Sequence, residues 1–205
     1  MIDFDYAGQH VRGVWRLAFG GGDPHSDLDN SHSGVFRSLA AIILSAPFTL
    51  LAVTSARRAA LMSPDIRSSA LSEAPIAVFL TAKTTVFLLD WAIGLAALIF
   101  TARLLGATEK AAGAIVSYNW AQLIIAIVVA GPLVILGMTA DANIFSLFYF
   151  PALAFSIVLL WRVLRASLPL DVGMAIALIA VLLLIGVVAN ASVSYVALGL
   201  LQLFS

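Results

Sequence analysis

The 205-residue chain predicts an all-α integral membrane protein, a bundle of about five transmembrane helices preceded by an N-terminal amphipathic helix. Three observations predict it. Apolar residues make up 62% of the chain and charged residues only 11%, with a mean hydropathy of +1.05, where a soluble domain carries about one-quarter charged residues. The apolar residues gather into about five stretches of the ~20 residues that cross a bilayer as helix. Those stretches are continuous and do not alternate, which argues against a transmembrane β-barrel.

The N-terminal segment 1–33 is the polar part. Within it Val11, Val14, Trp15, Ala18 and Phe19 recur at helical spacing, with His10, Arg12 and Arg16 off that stripe. The pattern predicts an amphipathic helix over about 5–19, stopped by Gly20, Gly21 and Gly22. A face of Val11, Trp15 and Phe19 flanked by Arg suits a helix lying in the membrane interface or docking on a partner. A helix packed under the bundle has the same signature. Residues 23–33 then read as an irregular polar loop.

The membrane domain, 34–205, carries crossings near 34–53, 76–103, 115–138, 144–164 and 172–190. Pro47 lies inside the first and Pro151 inside the fourth, where neighbouring helices can re-satisfy the freed carbonyls. Gly131-Pro132 predicts a kink or an early stop in the third. The connection 54–74 is the longest, and its Ser63-Pro64-Asp65 is a helix-start signal. The second crossing is long for a hydrocarbon core of about 30 Å, so it tilts or projects. After Asn190 the chain is apolar again over 191–205, which predicts a helix that continues with a tilt or break, or else an interfacial or re-entrant piece. Small residues one turn apart allow close helix packing: Ala41 with Ser45, Ala92 with Ala96, Gly173 with Ala177.

Orientation follows from the Lys/Arg distribution. The N-terminal side holds Arg12, Arg16, Arg37, Arg103, Lys110, Arg162 and Arg165, and the other side Arg57, Arg58 and Arg67. That bias predicts a cytoplasmic N-terminus and an exported C-terminus. The first apolar stretch stands behind the polar segment, which does not read as a cleavable signal.

Bulk composition excludes several classes of function. Zero net charge points to no nucleic-acid partner. The absence of Cys excludes disulfides, thiolate metal sites, iron–sulfur clusters and cysteine nucleophiles. No cofactor is implied. Intramembrane hydrolysis needs a Ser–base pair, paired Asp or a zinc helix motif, and the sequence has no such set. His25, Asp27, Asp29 and His32 are of ligand type, but their spacing matches no tight metal motif, so a solvated loop is the expectation and no metal is assigned.

Asp90 is the most informative residue. It sits in Thr85-Val86-Phe87-Leu88-Leu89-Asp90-Trp91, at least two turns from any membrane edge. An ionised carboxylate there costs about 2.5–3.5 kcal/mol on insertion scales, so a partner, a wet cavity or protonation must offset it. Lys83 shares its helix face but stands two turns away, about 10 Å, too far for a tight pair, and can snorkel to the exported interface. Arg37, Asn119, Gln122, Thr84 and Thr85 are the candidate partners. An inter-helix clamp, an anchor for a partner helix and an ion or proton relay all remain open. Asn119 and Gln122, one turn apart, read as helix-to-helix glue.

Ser33-Gly34-Val35-Phe36-Arg37-Ser38 at the first crossing, Ala46-Pro47 inside it and Tyr118-Asn119-Trp120 at the third are similar to segments of small proteobacterial inner-membrane proteins. The five-crossing topology behind a polar N-terminus resembles the Yip (Ypt-interacting protein) superfamily. The resemblance implies a non-enzymatic protein of the bacterial inner membrane, in trafficking or scaffolding where eukaryotic relatives are known, and it transfers no site residue. The expected role is an accessory, scaffold or assembly subunit whose partners are the lipid bilayer and another membrane protein or a second copy. The alternative is a small channel or secondary transporter whose polar path uses Asp90, Lys83 and Asn119.

Overall fold

Long apolar runs become long helices because only a helix satisfies every backbone donor and acceptor away from water. The computed structural model describes residues 3–20, 27–63, 66 and 70–204. Among these there is no β-strand. Eight α-helices follow in order: α1 (Phe4–Phe19), α2 (His32–Ser38), α3 (Ala40–Met62), α4 (Ala70–Glu73), α5 (Ile76–Leu104), α6 (Ala111–Thr139), α7 (Ala142–Ser167) and α8 (Val172–Phe204). Five stretches are long and apolar enough to cross a membrane: α2 with α3, then α5, α6, α7 and α8. Their alternation puts α1 and the start of α8 on one side, called here the near side, and α4 on the far side.

Local chemistry sets the ends. Asp3 caps α1 by accepting the Tyr6 N–H at 3.1 Å, and Gly20 ends it at φ +85°, a left-handed conformation that favours glycine. Gly21 and Gly22, also read as helix stops, lie outside the described residues, as do His25, Pro64, Asp65 and Arg67. Ser31 caps α2 through the Gly34 N–H. Asp141 caps α7 by accepting from Asn143 and Ile144. Asp171 opens α8 by accepting the Met174 N–H at 2.7 Å. Pro132 does not stop α6, which continues to Thr139, and α7 runs through Pro151. α8 is a single helix of 33 residues.

The central pair is α3 with α6. Ser38 bonds Asn119 at one end and Gly137 packs on Ser55 at the other, so the two helices run parallel. Their contact is made by small side chains: Ala41, Ser45, Ala52 and Ala59 of α3 are buried, at four- and seven-residue spacing. A Cβ on Gly137 would fall 2.7 Å from that of Ser55, closer than packing allows. Ala92, Ala96, Gly173 and Ala177, also read as packing residues, face outward.

Two cores result. The larger joins α1, α3, α6, α7, the C-terminal half of α5 and the start of α8, around Trp120, Val116, Leu98, Leu159, Leu164 and Val163. The smaller is a far-side cluster of Leu71, Ala74, Phe79 and Ala82, packed by Val193, Ala197 and Leu201 of α8. Arg57 braces it, its guanidinium donating to the carbonyls of Ser72 (2.9 Å) and Ala74 (2.8 Å). Thus α5 and α8 form a lobe on the far side, where Val53 and Arg57 of α3 touch it, and enter the larger core on the near side.

Candidate functional site: an unpartnered carboxylate in a cleft

Asp90 is the midpoint of the 29-residue α5, about 21 Å from either helix end. It lies on the exposed side of the bundle. No described residue donates a hydrogen bond to its carboxylate or pairs with it. One wall beside it is α8, where Gly186 gives the carboxylate room: a Cβ at that position would meet Asp90 Oδ1 at 3.0 Å. On its other side opens a cleft of about 290 Å³ between α3, α5 and α6, whose polar lining is Asp90, Gln122, Tyr118 and Thr49 among Ala52, Ala126, Ala130 and Leu133. Tyr118 hydrogen-bonds Gln122, and its hydroxyl fits against Cα of Gly94, where any side chain would collide with it.

The other polar groups at this level are tied down. Lys83 Nζ donates to Asn190 Oδ1 of α8 at 2.7 Å, so it bridges the α5–α8 lobe and does not approach Asp90. Trp91 Nε1 donates to Asn119 Oδ1 at 2.7 Å, Asn119 Nδ2 donates to the Ser38 hydroxyl at 2.8 Å, and that hydroxyl donates to the Val35 carbonyl at 2.7 Å. This relay links α5, α6 and α2 with Asn119 fully buried. Of the sequence-predicted partners, only Gln122 shares the cleft with Asp90. Asn119 and Gln122, expected to face the same way, divide between the core and the cleft. Thr85 bonds the Thr81 carbonyl, and Thr84 lines a separate groove between α3 and α5.

Arg37 is also elsewhere. Its guanidinium lies 3.7 Å over the Tyr6 ring and 3.6 Å from the Asp3 carboxylate, holding α1 to α2 at the near side. There α1 is docked under the bundle. Its buried face is Ala7, His10, Gly13, Val14 and Ala18, so the stripe is rotated from the one hydrophobicity alone predicts. His10, read as off the stripe, is its centre and 1% exposed. Its Nδ1–H donates to the Tyr6 carbonyl (2.8 Å), while Nε2 accepts the Asp29 N–H (3.0 Å). The ring is therefore neutral, with one defined tautomer. Burial holds its pKa below the ordinary imidazole value, and burial also raises that of Tyr6. Hydrogen bonds from the Ser31 hydroxyl and N–H depress that of Asp29.

Trp15 and Phe19 form the edge of α1. They stack toward Phe155 of α7 at 6.2 and 6.0 Å between ring centres, yet Trp15 stays 50% exposed. Val11 is half-buried beside them. Arg162 donates to the Ala18 carbonyl at 2.9 Å, where the end of α1 is negative. The helix thus packs one face under the bundle and leaves Trp15 at an exposed edge. Among the described residues no group of three or more His, Asp or Glu is placed to hold a metal ion; Asp27 pairs with Arg16 at 2.6 Å.

Sequence reasoning missed Asn190, Trp91 and Ser38 as partners. Asn190 was visible as a lone amide in an apolar helix. His10 was visible through its spacing from Ala7 and Val14. No family model, curated protein or solved structure matches the chain. What it shares with Yip-like proteins is the five-helix membrane character, and nothing ties it to that family specifically.

Proposed function

We propose that this chain is a non-enzymatic accessory or assembly subunit of a bacterial inner membrane, with its near side cytoplasmic, acting through helix–helix association. The observation that supports the reading is the Asp90 carboxylate, which stands without a partner at the middle of a membrane-length helix while Lys83 and Asn119 are bonded within the chain. A group so costly to expose to lipid marks a functional site, and completion by another chain is the role that suits a carboxylate unpaired within its own. Trp15 and Phe19 add an aromatic edge at the membrane boundary, a second surface for docking.

Purification in mild detergent at native expression, with mass spectrometry of the retained proteins, tests the reading. A stoichiometric membrane partner that is lost from Asp90→Asn supports it. A clean monomer from both forms sinks it.

A second reading has its own support, since Gln122, Tyr118 and Thr49 line the same cleft and make it a wettable approach to Asp90. In that reading Asp90 is the proton- or ion-carrying group of a small transporter. Proteoliposomes loaded with a pH dye would show a flux that Asp90→Asn removes.

A further inference from the structure

The cleft beside Asp90 combines three properties that point to one kind of occupant. It is lined by small side chains, Ala52, Ala126 and Ala130, which leave room for a long side chain entering from outside the bundle. Its volume of about 290 Å³ is many times the ~30 Å³ share of a single water. And it ends on a carboxylate at the midpoint of α5, flanked by Gln122 and Tyr118.

No described Lys or Arg lines it. Lys83 is committed to Asn190, Arg37 to Asp3 and Tyr6, Arg57 to two carbonyls, and Arg162 to the Ala18 carbonyl. A second copy in the same orientation fails as well. Its Lys83 lies seven residues from its own Asp90, about 10 Å off the midplane, and a two-fold axis along the membrane normal keeps every residue at its own depth, so that lysine does not reach the level of Asp90.

We infer that the cleft is the docking groove for a transmembrane helix of a different protein, one that carries a Lys or Arg near its midpoint. The basic side chain enters between α5 and α6, its charge meets the Asp90 carboxylate, and Gln122 supplies a further acceptor through its carbonyl. The inference rests on the association reading above and adds the partner's chemistry to it.

The absence of Cys in the chain makes the test direct. A single Met138→Cys on the exposed far end of α6 carries a fluorophore, and the full chain is reconstituted in phosphatidylcholine vesicles. The probe is a synthetic Leu/Ala transmembrane peptide of about 23 residues with one central Lys, labelled at one end. Matched peptides carry Leu or Glu at that position. The Lys peptide is expected to give saturable energy transfer and the Leu and Glu peptides only the baseline of random proximity. Asp90→Asn should weaken the Lys peptide by on the order of tenfold, about 1.4 kcal/mol, and Asp90→Glu should restore it. Elution volume and tryptophan emission confirm that each variant is folded.

Equal binding of the Lys and Leu peptides, or of the Lys peptide to wild type and Asp90→Asn, overturns the inference. So does Asp90-dependent transfer between two labelled copies of the chain, which would make the occupant a second copy. In either case loss of the native partner from Asp90→Asn would still support association, so the two claims fail separately.

Discussion

The near-side base and the α5–α8 lobe are built from similarly apolar helices but use their polar residues in opposite ways. In the base, polar groups knit helices of the same chain together. His10 ties α1 to the loop at Asp29, Asn119 ties α5 to α6 and α2, Arg162 ties α7 to α1, and the hydroxyls of Ser117 and Ser167 meet at 2.7 Å. In the lobe, the Lys83–Asn190 bond joins α5 to α8 and Arg57 bonds the carbonyls of Ser72 and Ala74, around a four-residue buried cluster. A groove of about 600 Å³ remains between α5 and α8 beside Ala77, Thr81, Ser192 and Val196, and Asp90 remains unpartnered. The base specifies the fold. The lobe leaves a groove and a carboxylate that no described residue fills or pairs with.

The largest effect that would test this contrast is at Trp120, the biggest fully buried side chain of the base. Its Nε1 has no hydrogen-bond partner among the described residues, and neither has the Tyr6 hydroxyl beside it. Its contribution is therefore volume and ring contact with Tyr6 and His10. Trp120→Ala should lower stability by about 3–5 kcal/mol, and Trp120→Phe by much less, measured by thermal unfolding in detergent. Equal losses would mean that the indole N–H matters and that the base is held by polarity more than by packing.

Next in size is Asn119→Leu. It leaves Trp91 Nε1 without its acceptor in a buried site, a loss of about 1–3 kcal/mol. Because Trp91 is where α5 meets the base, the change should also raise hydrogen exchange along the C-terminal half of α5. If exchange rises evenly over all helices, the relay is general stabilisation and not the link between the two regions.

How far the sequence foretold this contrast follows from what each signal can carry. Length and apolar content are local, so five membrane-length helices and the amphipathic α1 were legible. Asp90 was legible because a lone charge in an apolar run stands out in one dimension. Pairings between distant helices were not. Lys83 and Asn190 are separated by 107 residues, and nothing in either helix states its depth relative to the other. The same limit hid the parallel α3–α6 pair, whose Ala41–Ser45 step was visible but whose partner was not. On α1 the reading erred by weighting hydrophobicity over position. Trp15 and Phe19 drew the stripe toward themselves, while the buried face centres on a histidine that becomes compatible with burial once both ring nitrogens are bonded.

That histidine gives the base a pH dependence the lobe lacks an equivalent for outside the membrane. His10 is neutral when docked, and its pKa is depressed by burial. The undocked state, with an imidazole near its ordinary pKa of about 6.5, binds the proton more readily. Docking of α1 is therefore at full strength above about pH 6.5 and weakens as pH falls from there toward the depressed value. Protonation also turns Nε2 from acceptor to donor against the Asp29 N–H. The carboxylates of Asp27 and Asp29 oppose this loss, and the Arg37 guanidinium adds to it. Hydrogen-exchange protection of the α1 amides, taken relative to the intrinsic rate at each pH, should fall between pH 7 and pH 5, with that of α5 and α8 unchanged. His10→Phe should remove the dependence. A pH response shared by α5 and α8 would show that the two regions are coupled.

The smallest expected effect is at the bond that holds the lobe together. Bonds between helices within a membrane average about 0.6 kcal/mol and reach ~1.7 at most, because the separated helices find other partners. A double-mutant cycle over Lys83→Met and Asn190→Leu should return a coupling in that range, read from unfolding in detergent. A coupling near the average would mean that α8 is held mainly by Phe79, Ala82, Val193 and Ala197, so the lobe can adjust its spacing without breaking anything costly. A coupling well above that range would make the Lys83–Asn190 bridge a rigid strut. The contrast between a tight base and an adaptable lobe would then be wrong at the point where it was most open to being broken.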